Sequence, residues 1–200
     1  MRLKGLMSVF LCLVLTIMSV VPAQAAELTE DAVTLPSSSS SYSTDAQIGI
    51  LGAEQLIENA DAVFLYEANS DTLMYAWNPD AQMYPASLVK IMTALLAVEK
   101  CALDEIVTVS KSAIDSVPAD AVSAKLQAEE KMSINDLLHC LLVGSANDAA
   151  AVIAEHISGS QSSFVDLMNQ RAQELGCNAT VFKNAHGLHD DNQHTTARDS

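Results

Sequence analysis

The sequence predicts an α+β fold, a helical cluster packed on an antiparallel sheet, and three features carry that expectation. Two apolar, aromatic runs at 62–67 and 72–77 are separated by Ala68, Asn69, Ser70 and Asp71, the pattern of a β-hairpin. Four later segments, 85–100, 133–142, 149–157 and 163–175, place apolar residues at helical spacing. A further short apolar stretch at 105–110 reads as a strand or extended edge between the first two of those helices.

In chain order, residues 1–26 read as a signal peptide. Arg2 and Lys4 give a positive start, Leu6 to Val21 is apolar, and Ala23-Gln24-Ala25 offers a small-x-small cleavage site. Residues 27–46 form an acidic, serine-rich stretch that lacks the apolar surface to build a core and reads as a flexible linker. The domain is expected over 47–200, with a short helix within 47–59. The hairpin ends at Asn78-Pro79-Asp80 and needs further structure to pack on, because two strands alone are marginal in water.

The helix over 85–100 starts near Pro85, which suits a first turn, and Leu88, Ile91, Met92, Leu95 and Leu96 form its expected buried stripe. A short strand follows at 105–110, then a polar surface excursion over 111–131. Ser133 and Asp136 make an S-x-x-D capping box that opens the next helix, with Ile134, Leu137, Leu138, Leu141 and Leu142 on its apolar face. Ser145 and Asn147 fall in a turn before the helix at 149–157, which Gly159 stops. The last helix is expected from Ser163, capped with Asp166, and ends at Gly176; 184–200 reads as a polar, histidine-bearing loop.

The net charge of −15 over the whole chain becomes more negative without the leader's two basic residues, which argues against a nucleic-acid partner. Beyond the leader the cysteines are Cys101, Cys140 and Cys177. Cys140 suits a small core position, and Cys101 and Cys177 are open to pairing or to staying reduced. His186, His189 and His194, with Asp190 and Asp191, have no spacing that matches a structural zinc site, so no metal is expected there, and no cofactor.

Ser87 and Lys90 stand three residues apart at the start of the first helix and therefore share a face. An N-terminal turn favours developing negative charge, and an apolar surrounding lowers a lysine's pKa enough for its amine to act as a base. A serine near a helix start is also an ordinary cap, so the pair alone does not define chemistry. Ser145-Ala146-Asn147 adds a second polar group at a corner between apolar helices, which no capping rule requires.

With Ser87-x-x-Lys90 and Ser145-x-Asn147 in this order, the chain resembles the penicilloyl-serine transferase superfamily, whose third motif is Lys-Thr-Gly. More narrowly it is similar to the low-molecular-mass penicillin-binding proteins that are serine-type D-Ala-D-Ala carboxypeptidases. The resemblance runs from about Ala60 to Ser200 and includes 141–150, 184–188 and 194–199. It implies a β-lactamase/transpeptidase-like fold, Ser87 as the acylated nucleophile and Lys90 as its base. It further implies Ser145 as the proton relay to the leaving amine and Asn147 as the amide that binds the substrate's peptide group. The implied partners are peptidoglycan stem peptides ending in D-Ala-D-Ala and β-lactam antibiotics. The implied location is exported and extracytoplasmic, with membrane association through a C-terminal segment outside these residues.

No Lys-Thr-Gly occurs in the 200 residues. The later sheet strands are therefore expected to be missing, the chain to be a fragment of a longer protein, and its turnover to be weak or absent. Two other readings compete: a non-catalytic penicillin- or cell-wall-binding module, and a class A-type β-lactamase. The latter lacks its Glu-x-x-Leu-Asn between 160 and 200.

Overall fold

The computed structural model describes residues 60–200; the expected signal peptide, linker and 47–59 helix lie outside them. Strands β1 (Val63–Glu67) and β2 (Thr72–Trp77) pair antiparallel as the expected hairpin, with Phe64 opposite Ala76. A 3₁₀ turn at Ala86–Leu88 leads into α1 (Val89–Lys100). Then follow β3 (Ile106–Thr108), the short α2 (Lys111–Asp115), β4 (Lys131–Ser133), α3 (Ile134–Leu142), α4 (Asn147–Ser158) and α5 (Gln161–Glu174). The antiparallel pairing is thus divided between two short ladders, β1–β2 and β3–β4.

The helices build the core. α1 packs on α3 and α4, and α4 lies between α3 and α5. The unbroken burial of Ala149 to Ala154 along α4 explains its alanine run, since small side chains let neighbouring helices approach from all sides. Phe164 and Met168 of α5 close the core from one side and Ile134, Leu137 and Leu141 of α3 from another, all fully buried. No residue of the hairpin is fully buried. It is joined to the end of the chain by Arg198, whose guanidinium bonds both oxygens of Asp80 at 2.6 and 3.0 Å and lies 5.2 Å above the Phe64 ring.

The stripe expected on α1 is displaced. Leu88 and Ile91 are each 54% exposed, while Val89, Lys90, Met92, Thr93, Leu96 and Ala97 face inward. Two polar residues therefore occupy the buried face, and they do so because each finds a partner there. The 111–131 segment is also more ordered than its composition suggests: Ser110 caps α2 by accepting a bond from the Ala113 N–H, and Leu126 is buried. For α5 the cap is Ser160, accepting from the Ser163 N–H, and not Ser163 itself. Ser133 caps α3 as the box predicts, accepting from the Asp136 N–H at 3.1 Å. Cys101, Cys140 and Cys177 are all free thiols.

Asp148, buried in the first turn of α4, fastens the 122–126 loop to the helix cluster. Its carboxylate accepts from Ser123 Oγ at 2.6 Å and from the N–H groups of Ala124, Leu126 and Ala149 at 2.9 to 3.0 Å. Burial alone pushes this carboxyl up, but the four donors outweigh it and hold the pKa below the ordinary carboxylate value. Replacing Asp148→Ala leaves three backbone donors without their acceptor, and the expected cost is about 3 kcal/mol. Urea unfolding measures it; a loss below about 1 kcal/mol would show that the loop is held by other contacts.

Candidate active site

The Ser87 hydroxyl is placed by three elements that meet around it. The first is the chain entering α1: Pro85 precedes the 3₁₀ turn, and Ala86 takes a left-handed φ of 47°, which an L-residue adopts at a cost of about 1–2 kcal/mol. This bend presents Ser87 at the tip of the helix, with Lys90 in the first turn behind it. Lys90 Nζ lies 3.4 Å from Ser87 Oγ and donates at 2.5 Å to the carbonyl of His186. The lysine is 3% exposed, and burial lowers its pKa from the ordinary 10.5.

The second element is the corner between α3 and α4. Gly144 is confined there, since a Cβ would stand 2.9 Å from the Cys140 carbonyl oxygen. Ser145 follows with a left-handed φ of 52°, and its Oγ donates to Ser87 Oγ at 3.1 Å. Asn147 begins α4 as a helical residue, buried, with its N–H bonded at 2.9 Å to the Val122 carbonyl. Through that bond and Asp148, the 122–126 loop becomes a fixed wall beside the corner.

The third element is the 184–188 loop. Thr93, one turn beyond Lys90 on α1, donates from Oγ1 to the Ala185 carbonyl at 2.6 Å. Asn184 Oδ1 accepts from the Gly187 N–H at 2.6 Å, while Asn184 Nδ2 donates to Leu188 O at 2.9 Å. The buried Gln193 holds the loop's entrance, its Oε1 accepting from the N–H groups of Lys183 and Asn184. His186, half-buried, has its pKa lowered to about 4 by burial and by the Lys90 charge.

Between these elements lies an open cleft of about 510 Å³ lined by Ser87, Lys90, Ser145, Asn147, Pro118, Asp120, Ala121, Val122 and 186–188. All four residues singled out in the sequence face it. Sequence reading did not assign roles to Thr93, Asn184, Gln193 or Asp148, because their significance lies in carbonyls and N–H groups distant along the chain. The Ser87 hydroxyl thus has two polar groups within 3.4 Å, one of them the amine of a buried lysine.

A helix-tip Ser-x-x-Lys facing a Ser-x-Asn corner defines the penicilloyl-serine transferase class of fold. Within that class, the chain belongs to the D-alanyl-D-alanine carboxypeptidase family, peptidase S11, whose sequence pattern matches residues 51–200. It is 36% identical over 165 residues to D-alanyl-D-alanine carboxypeptidase DacA of Haemophilus influenzae, covering 80% of this chain and 42% of that protein. D-alanyl-D-alanine carboxypeptidase DacF of Bacillus subtilis is 33% identical over 147 residues, covering 72% of this chain and 38% of that protein. Among solved structures, DacD from Francisella tularensis superposes with a TM-score of 0.66 at 34% identity, covering 70% of this chain and 35% of that one. The Streptomyces K15 DD-transpeptidase gives a TM-score of 0.63 at 29% identity, with 68% and 55% covered. The chain therefore spans well under half the length of these curated relatives.

Two outcomes follow from the loop. Gly187 has a φ of +89°, and a Cβ there would lie 1.9 Å from the Ala86 carbonyl oxygen, so any side chain displaces the segment that presents Ser87. Gly187→Ala is expected to destabilise the fold by about 1–3 kcal/mol, read from urea unfolding; an unchanged midpoint would show that the loop and the Ala86 turn do not meet this closely. His186 binds its proton less readily when folded, so between its unfolded value of 6.5 and about 4 the unfolded chain holds more protons. Stability is expected to rise with pH across that window and level off above it, and His186→Asn is expected to flatten the rise in urea midpoints.

Proposed function

We propose that this chain carries the nucleophile half of a serine-type D-Ala-D-Ala carboxypeptidase. The observation that carries the reading is the Ser87 hydroxyl held 3.1 Å from Ser145 Oγ and 3.4 Å from a buried lysine amine. Neutral Lys90 has two N–H groups and one lone pair. The His186 carbonyl engages an N–H, which leaves the lone pair available to the Ser87 proton.

In the proposed reaction, Lys90 takes that proton as Ser87 Oγ bonds to the carbonyl carbon of the penultimate D-alanine. The Ser87 N–H, in a first turn without an intrahelical partner, supplies one donor to the developing oxyanion. Ser145 relays the proton held on Lys90 to the leaving nitrogen as the C–N bond breaks and terminal D-alanine departs, which returns Lys90 to the neutral amine. Water then cleaves the ester on Ser87. Asn147 is the amide that holds the substrate's peptide group. A β-lactam follows the same first step, its ring amide opening on Ser87.

The substrate class is the peptidoglycan stem peptide ending in D-Ala-D-Ala, which is consistent with the expected leader and export to the extracytoplasmic side. Among the described residues, no helix is long and apolar enough to cross a membrane. The 200 residues contain no Lys-Thr-Gly, so acylation is the step to read on this chain, with weak turnover of a D-Ala-D-Ala peptide.

Incubation with a fluorescent penicillin is expected to give one covalent adduct per chain, located at Ser87 by peptide mass mapping. Ser87→Ala is expected to abolish it, and Lys90→Gln to slow it by about 10²-fold or more. Because only the neutral amine is a base, the labelling rate is expected to rise with pH and level off below 10.5, the ordinary lysine value that burial lowers. Persistent labelling of Ser87→Ala, or a rate indifferent to Lys90, would overturn the assignment.

A further inference from the structure

Away from the cleft, three side chains of metal-ligating type meet where no catalytic role has been assigned. Cys101 is the residue that ends α1, Glu105 precedes β3, and His156 stands in the last turn of α4. The Cys101 thiol, a Glu105 carboxylate oxygen and a His156 ring nitrogen all lie within 4.8 Å of one another. We propose that Cys101, Glu105 and His156 form a binding site for a divalent, borderline-soft cation, Zn²⁺ foremost, with the fourth position open to water.

The donor set selects the metal class. One thiolate, one imidazole and one carboxylate suit Zn²⁺ and its neighbours in the transition series, whereas Mg²⁺ and Ca²⁺ prefer oxygen alone. Around a tetrahedral zinc, with bonds of about 2.0 to 2.3 Å, ligand atoms stand roughly 3.4–3.6 Å apart. The three ligand atoms, all within 4.8 Å of one another, lie near that spacing. Glu105 Oε1 and His156 Nε2 already sit 2.9 Å apart and need to part slightly.

The backbones beneath these side chains are fixed. The Cys101 N–H bonds the Ala97 carbonyl at 3.0 Å, the Glu105 N–H bonds the Ala102 carbonyl at 3.1 Å, and the Glu105 carbonyl accepts from Ile134 at 3.0 Å. His156 rides on α4, whose Glu155 accepts a bond from Ser112 of α2. The ligands are thus carried on a preorganised frame, which limits the ordering cost of binding. Cys101 is half-buried while Glu105 and His156 are exposed, so the cation reaches the thiol from solvent and one coordination position stays wet.

On binding, the thiol gives up its proton to solvent as the S–Zn bond forms, and the neutral imidazole and the carboxylate donate lone pairs. The metal would join the C-terminal ends of α1 and α4. Those are the helices whose opposite ends present Ser87 with Lys90 and Asn147 with Ser145, so occupancy is expected to raise the melting temperature of the frame that holds the cleft.

The test uses the purified chain stripped of metal with a chelator. Titration with Zn²⁺ against a chromophoric competitor is expected to give one equivalent bound. Co²⁺ in its place should produce a thiolate-to-metal charge-transfer band. Cys101→Ser and His156→Ala are expected to lower Zn²⁺ affinity at least tenfold, while Cys140→Ser and Cys177→Ser leave it unchanged. Should the Cys101 variant fail to fold, the unmodified chain still reports. Zn²⁺ is expected to slow alkylation of Cys101 and not of Cys140 or Cys177. Alkylation of Cys101 indifferent to Zn²⁺, or Zn²⁺ binding that survives in Cys101→Ser and is lost in His189→Ala, would overturn the site.

Discussion

The site depends on one constraint: α1 turns a polar pair inward, and the 184–188 loop satisfies it. Lys90 and Thr93, a turn apart, each donate to a carbonyl of that loop, at 2.5 and 2.6 Å. A buried ammonium or hydroxyl without a partner costs several kcal/mol, so the helix takes this rotation only with the loop in place. The loop in turn keeps its shape through Asn184 and Gln193, whose side chains replace the sheet partners that its backbone lacks. Helix orientation and loop conformation are therefore one decision.

The same economy governs the opposite wall. Asp148 is a charge buried beside the Ser145–Asn147 corner, yet its four donors commit it to structure. Lys90, by contrast, has fewer partners for its charge, and burial depresses its pKa. Burial disfavours the charge on both groups; at Asp148 four donors to the charged form outweigh it, and at Lys90 burial prevails. Strained backbone at Ala86 and Ser145 frames the hydroxyls on both sides, and the packed helices beneath hold both residues in place.

The curated relatives are more than twice as long as the stretch matched here, and among the described residues the helices build a core in which α2, α3 and α5 carry side-chain caps. Ser133 and Ser160 at helix starts and Gly159 at a helix end are local devices that need no distant strand. Leu88 and Ile91, by comparison, leave an apolar surface at the start of α1 that the described residues only partly cover.

The hairpin, the helices expected at 85–100, 133–142, 149–157 and 163–175, whose ends shift by a few residues in the structure, and the two motifs Ser87-x-x-Lys90 and Ser145-x-Asn147 were legible in the sequence. Periodicity, capping residues and motif spacing are local properties, and neighbours along the chain decide them. The sequence placed Met92, Leu95 and Leu96 of α1 correctly toward the core, but it could not disclose that Leu88 and Ile91 stay largely exposed while Lys90 and Thr93 turn inward. Nor could it assign Thr93, Asn184, Gln193 and Asp148, or bring Cys101, Glu105 and His156 together. Only tertiary structure decides these, since each depends on a hydrogen-bond partner or neighbouring ligand brought close by packing and not by chain position.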